Sequence, residues 1–360
     1  MLECNSAKLA ISGPPGNTIS DAMEEKCISN EILAGRMNVS VEFISLLIRG
    51  HQKITEEVAS KLSAILGAST SFWLNREKLY RDSLDFISAG ISEEEGEWLS
   101  QLPVSKMQSL NWIVKTKLPA LNLINCLNFF NVPNVSSWKE LYQSTPELAS
   151  FRTSQSFTPD LGAVAAWVRM GELEANFIDC LPWDLQGFKQ ALFDIKILTN
   201  EKNPDIFVPK LQQICAGYGV AVVIERAPAG CQASGATKFI EQDKALLLLS
   251  LRYLSDDHFW FTFFHEAGHL ILHGRDGVFV ENDRSSSDIR ESEANEFSRK
   301  FLIPDEYVQE LVTIGDDMRK IIRFSRKLGI SPGIVVGQLQ FRGVIKQHHM
   351  QKLKVRYTWG

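Results

Sequence analysis

Phe261-Thr262-Phe263-Phe264-His265-Glu266-Ala267-Gly268-His269-Leu270-Ile271-Leu272-His273-Gly274 is the stretch from which the rest of the chain can be read. On a helix of about 3.6 residues per turn, His265 and His269 stand one turn apart and point the same way. Two imidazoles so placed can fill two corners of a zinc tetrahedron, and Glu266 beside them can take a proton from an attacking water. Upstream, Ser255 offers an N-cap, and Asp256 and Asp257 put acidic groups at the positive end of the helix dipole. Phe261, Phe264, Leu270, Ile271 and Leu272 clothe most of the remaining surface, which predicts a buried helix. His273 lies one more turn along, rotated away from a shared metal. It reads as a helix-end group or an outer partner of a ligand, a direct metal bond being the alternative.

A third ligand is expected on a second helix. In Glu291-Ser292-Glu293-Ala294-Asn295-Glu296-Phe297-Ser298-Arg299-Lys300-Phe301, the residues Ala294, Phe297 and Phe301 form an apolar stripe at helical spacing. At about 100° per residue, Glu291 lies at the edge of that stripe, Glu293 further round and Glu296 nearly opposite. Glu291 is therefore the expected third ligand, and Asn295, one turn on, an expected outer partner. Glu296 reads as solvated, and Pro304 stops the helix.

The two segments together, HEAGHLILH and ESEANEFSRKFLIP, resemble the ImmA/IrrE family of zinc metallo-endopeptidases over roughly residues 205–345. The resemblance implies a gluzincin-like domain with His265, His269 and Glu291 holding Zn²⁺ and Glu266 as general base. It also implies a substrate that is a regulatory protein, since members cleave or inactivate repressors.

Composition bounds the alternatives. A chain of 360 residues can hold two or three domains, and 44% hydrophobic residues describe a packed protein. A net charge of −5 gives no global argument for nucleic acid or membrane. Six cysteines without a CxxC pair predict reduced thiols and a cytoplasmic location. The opening residues lack the basic and apolar regions of a signal peptide, and no apolar run is long enough to span a bilayer.

Nearer the start, Ser29–Met37 and Val41–Ile48 read as two short helices around the turn Asn38-Val39-Ser40, the helix-turn-helix arrangement. Ala34 would let the pair pack closely, with Val39 and Ile44 plugging between. With GHQKITEEVASKLSAILGASTSFWLN following, residues 13–82 resemble an XRE-type helix-turn-helix of the HigA antitoxin variety. The expected base-reading face is Ser40, Val41, Glu42, Phe43 and Ser45, with Arg49 and Lys53 placed to grip a backbone. That face holds no Arg or Lys, and residues 1–85 carry 9 basic and 11 acidic residues, 9 − 11 = −2. Phosphate attraction is therefore weak, and a protein-binding or dimerising module is the competing reading.

Between the two motifs, residues 86–200 read as a helical connector. Helical patterns run over Glu94–Leu102, Ser105–Phe130 and Ser137–Leu148, with Trp98, Trp112, Trp138, Trp167 and Trp183 as core. Ala163–Glu172 resembles the helix joining the halves of fused helix-turn-helix and ImmA/IrrE proteins. After a helix at Val208–Ala216 come three strands, Gly219–Ile224, Ala236–Ile240 and Ala245–Leu251. The third could present an edge beside the metal for a substrate strand, or be central and fully paired. Phe324–Val336 resembles a second helix-turn-helix pair, though Gly333 and Gly337 favour close packing on the catalytic domain. The tail with His348 and His349 is expected to fray.

The fold expected is α+β and mostly helical: a helix-turn-helix domain at 1–85, a connector at 86–200, a zinc peptidase domain with a small sheet at 201–345 and a polar tail at 346–360. The expected function is proteolysis of a repressor or antitoxin, coupled to operator DNA or partner binding by the N-terminal domain of a homodimer. A DNA-binding regulator whose zinc site only senses or stabilises is the alternative.

Overall fold

Helix ends follow the capping chemistry of the sequence. In the computed structural model, which describes residues 14–85, 91–143, 161–250, 254–274, 279–280 and 289–357, the chain opens with α1 (Pro15–Glu25), α2 (Asn30–Met37), α3 (Val41–Ile48), α4 (Glu56–Leu66) and α5 (Thr70–Asp85). Ser29, Ser40 and Thr55 accept from the backbone N–H of Ile32, Phe43 and Val58 and so cap α2, α3 and α4. Asn38 takes the left-handed conformation, φ 54°, that turns the chain from α2 toward α3. Ile19, Leu33, Ala34, Met37, Ile44, Leu47, Leu62 and Trp73 are buried together behind these helices.

Four further helices follow: α6 (Glu93–Ser100), α7 (Val104–Ser109), α8 (Pro119–Phe130) and α9 (Val135–Gln143). The single helical run expected over Ser105–Phe130 is broken. Pro119 forces Leu118 into extended backbone and then serves as the first residue of α8. Trp98, Phe130 and Trp138 form one edge-packed aromatic cluster, with Trp98 and Trp138 centroids 5.6 Å apart. The opening residues through Gly13, the end of the pattern reaching Leu148, and Leu251 lie outside the described residues.

The described residues divide into two compact units. The first is drawn from Met1–Ala149, Asp160–Arg169 and Pro228–Gly230, the second from Met170–Ala227 and Cys231–Gly360. Helix α10 (Leu161–Ala175) contributes its last residues to the second unit, followed by α11 (Leu185–Leu198) and α12 (Pro204–Ala216). The strands β1 (Val220–Ile224), β2 (Gly235–Glu241), β3 (Lys244–Leu249) and β4 (Phe279–Val280) form one sheet in the order β1-β3-β2-β4. β1 runs parallel to β3, and β2 antiparallel to it. β3 is thus central and paired along both sides, which decides between the two readings left open for this strand against a free edge. The apolar run that made it look like a strand is the signature of one buried on both faces.

The metal-motif helix, α13 (Asp256–Leu272), lies against this sheet and is enclosed by α14 (Ile289–Leu302) and α17 (Pro332–Phe341), with α15 (Asp305–Ile314) and α16 (Met318–Leu328) in the same core. Phe259, Trp260, Phe263, Phe264, Ala267 and Leu270 are buried there with Val220, Val222, Leu247 and Leu249. Phe188, Leu192 and Ile195 of α11, expected in the connector, share this core.

At the start of α13 one expectation is corrected and one is met. Ser255 makes no side-chain cap, while Asp256 and Asp257 stand in the first turn as expected and are buried there. Asp256 accepts from the Ser331 hydroxyl (2.6 Å) and the Val355 backbone N–H (3.0 Å), while Asp257 pairs with Lys354 (2.6 Å). The segment expected to fray is therefore docked: Tyr357 is buried and accepts from the Trp260 indole N–H at 3.1 Å. Gly333 and Gly337 let α17 come this close, since a Cβ on Gly333 would lie 2.3 Å from the Asp256 carboxylate. No described helix is long and apolar enough to cross a membrane.

Candidate metal centre

The two histidines of α13 project from one face, as their four-residue spacing requires, and their Nε2 atoms lie 3.0 Å apart. From α14, Glu291 brings one carboxylate oxygen 3.2 Å from His265 Nε2 and the other 3.2 Å from His269 Nε2. All three residues are buried, and among the described residues they form the one His/Cys/Asp/Glu group able to hold a metal ion. Metal–ligand bonds of about 2.0–2.1 Å in a tetrahedron put neighbouring donors about 3.3 Å apart. The observed separations of 3.0, 3.2 and 3.2 Å fit that cage.

Hydrogen-bond chemistry points the same way. His265 Nδ1 lies 3.2 Å from Asn295 Oδ1, an acceptor, so the ring proton belongs on Nδ1 and the lone pair on Nε2. His269 Nδ1 lies 3.2 Å from His273 Nδ1, and His273 Nε2 lies 2.9 Å from Glu293 Oε2. Burial, the largest cause, pulls His269 below the ordinary imidazole range, which favours the neutral ring that a metal needs. Burial alone would raise the Glu291 carboxyl, but protons on His265 and His269 Nε2 would outweigh it by hydrogen bonding and charge and hold it at about 2; a cation in their place acts in the same direction. An ionised carboxylate with two imidazole nitrogens at its oxygens is a donor set suited to a divalent cation.

Glycines set the approach of the surrounding elements. A Cβ on Gly268 would lie 3.0 Å from the Phe297 ring and 3.4 Å from Ala294 Cα, so this residue lets α14 close on α13 between the histidines. On the other side, a Cβ on Gly235 would lie 2.3 Å from Glu266 Oε1. The start of β2 therefore lies directly against the Glu266 carboxylate, itself buried. The inward side of α14 carries Glu291, Ala294, Ser298 and Leu302, with Phe297 and Phe301 only partly buried. Ser298 donates its hydroxyl to the Phe261 carbonyl (3.0 Å), fixing the rotation of α14 on α13.

The residues expected to read DNA are placed at α3. Val41 and Glu42 are exposed, as is Lys53 beyond the helix, while Ser45 and Arg49 are half-buried. Ser40 spends its hydroxyl on the cap of α3, and Phe43 packs on the core of the first unit. The fully projecting side chains are therefore one apolar, one acidic and one basic.

Sequence reasoning did not find Gly235, Ser298 or the Glu293 contact. Each depends on which element packs alongside, and local periodicity carries no such signal.

Residues 218–339 match the Peptidase_M78 family, described as an IrrE N-terminal-like domain. The match spans β1, the metal-motif helix, α14 and most of α17. In the N-terminal region the chain is similar to the uncharacterized HTH-type transcriptional regulator YddM of Escherichia coli (strain K12). The two are 32% identical over 73 residues, 20% of this chain and 78% of that protein. The chain belongs to the helix-turn-helix family of that regulator. Its second unit carries a metallopeptidase-like domain.

Proposed function

We propose that the protein is a zinc-dependent endopeptidase acting on a specific regulatory protein, a repressor or an antitoxin, with its helix-turn-helix domain serving operator or partner binding. The supporting observation is the buried His265–His269–Glu291 group with Glu266 on the adjoining helical position, inside a region that matches a peptidase family. His265 and His269 would hold Zn²⁺ through Nε2 and Glu291 through its carboxylate, with Asn295 and His273 orienting the rings. A zinc ion there supplies Lewis acidity, polarising the scissile carbonyl and making water easier to deprotonate.

Glu266 takes a proton from the attacking water as its oxygen adds to the carbonyl carbon. It then delivers that proton to the amide nitrogen as the C–N bond breaks, so the products are a carboxyl group and a free amine. Burial beside β2 keeps this carboxylate aimed and excludes bulk water from it. We assign the first functional domain to residues 1–85, the connector to 86–200 with its α11 packed into the core of the next domain, the peptidase domain to 201–345, and to 346–360 a polar tail that is docked through Tyr357. We place the protein in the cytoplasm as a homodimer.

Similarity to a transcriptional regulator supports a second reading, in which the metal site senses or stabilises without proteolysis. Co-expression with whichever regulatory protein its neighbouring gene encodes separates the two. Glu266→Gln should keep the metal and the fold while lowering cleavage by about 10²–10⁴-fold, the usual worth of a general base. If the wild-type protein and Glu266→Gln leave the regulator equally intact while both alter transcription, the second reading replaces the first.

A further inference from the structure

We propose that Glu293 and His273 form a positioning relay that holds the His269 imidazole for the metal. This rests on the metal-peptidase reading above. Two positions along α14 from Glu291, Glu293 points well round the helix and cannot share a metal with it. Yet His273 caps the end of α13, one turn beyond His269, and its ring bridges the gap. His273 Nε2 lies 2.9 Å from Glu293 Oε2, and His273 Nδ1 lies 3.2 Å from His269 Nδ1.

With a metal on the His269 Nε2 lone pair, the chemistry fixes the direction of every proton in this chain. An ionised carboxylate only accepts, so His273 must donate from Nε2. A neutral imidazole has one N–H, which leaves His273 Nδ1 as an acceptor. His269 must then donate from Nδ1, and its lone pair is left on Nε2. That is the atom 3.0 Å from His265 Nε2 and 3.2 Å from Glu291 Oε1. A carboxylate on the outer surface thus sets the tautomer and aim of a buried ring.

The relay also makes the two histidines unequal. His265 is oriented by the neutral amide of Asn295, whereas His269 is backed by a full negative charge through one intervening ring. A charged acceptor makes the ligand nitrogen more basic and binds the metal more tightly. The simpler alternative is a surface contact at a helix end, for the Glu293 side chain is 53% exposed. Such contacts contribute little to stability, and nothing to a metal held elsewhere. The His273 side chain, by contrast, is only 8% exposed and sits between the two.

Zinc affinity of the full-length protein, measured by competition with a chromogenic chelator at neutral pH, tests the relay. Glu293→Ala and His273→Ala should each weaken zinc by about 10-fold or more, the usual range for outer partners of a ligand. The double variant should bind no more weakly than His273→Ala alone, because Glu293 acts only through His273. The visible absorption of the cobalt-substituted protein should shift in both single variants, and Glu293→Gln should recover part of the affinity. Wild-type affinity in Glu293→Ala, or losses that multiply fully in the double variant, overturns the relay. Glu291→Ala serves as the control. If that control loses zinc while Glu293→Ala does not weaken, the relay falls and the metal reading stands. If Glu291→Ala binds as tightly as wild type, both fall.

Discussion

Gly235 shows how much of this site is settled by a single missing side chain. Alanine there would put a methyl carbon 2.3 Å from Glu266 Oε1, and the carboxylate is the partner able to move. The proposed ligands lie on α13 and α14, away from that clash. Gly235→Ala should therefore retain zinc while hydrolysis falls by about 10²-fold, the cost of misplacing a catalytic group by about 1 Å. Metal content and turnover measured on one preparation check this, and joint loss of both would mean that β2 supports the whole centre. The convergence of His265, His269 and Glu291 was legible in advance because helical periodicity alone puts them on facing sides. Gly235 and the Glu293 contact were not, since a sequence does not say which strand runs past a helix or where two helices touch. Gly268 stood in view between the histidines, but its use in admitting α14 needed the neighbour.

Among the elements, α13 is held as firmly at its start as at its chemistry. Asp256, buried among Ser331, Val355 and Asp257, has its carboxyl pushed up to about 6, burial being the largest cause. An unfolded aspartate titrates near 4, so the folded state binds the extra proton between the two values. Stability from this group is full below about pH 4 and is lost as pH rises through about 6, a change on the order of 3 kcal/mol. Asp256→Asn should flatten that slope, read by urea unfolding of the two proteins across the window. Glu291, held at about 2, acts in a lower window and with opposite sign, so the comparison isolates Asp256. Lys354→Ala should destabilise by about 3–5 kcal/mol, because it strands the buried Asp257 carboxylate. A loss of under about 1 kcal/mol in thermal or urea unfolding would show that the docked segment contributes little. The polarity of the tail signals solvent, whereas its Lys354 ammonium and Val355 N–H answer the Asp257 and Asp256 carboxylates nearly a hundred residues earlier, and Tyr357 answers the Trp260 indole. Pro119 marks the division of the run ending at Phe130 in the sequence itself, since it drives Leu118 into extended backbone.

At the scale of the molecule, the α+β class and the small sheet were legible from apolar runs and helical stripes. The order of the strands was not, because β3 looks the same from sequence whether central or at an edge. The first unit shows the same divide: caps and the turn at Asn38 specify the helix-turn-helix scaffold, but Ser40 and Phe43 serve the fold rather than a ligand. With acidic residues outnumbering basic ones in residues 1–85, the full chain should bind its own upstream DNA weakly and lose it steeply with salt. A mobility-shift titration reads this, and Lys53→Glu should weaken it further. No shift even at low salt would favour protein docking by that domain. Everything proposed for the second unit depends on the donor set at its centre, so metal content is the most direct measurement. Wild type, Glu291→Ala and Glu293→Ala would be purified side by side and read by atomic emission. The expected result is stoichiometric zinc in wild type, a small fraction in Glu291→Ala, and near-full zinc in Glu293→Ala, whose weaker site still fills at micromolar concentrations. Full zinc in Glu291→Ala with loss in Glu293→Ala would contradict the assignment.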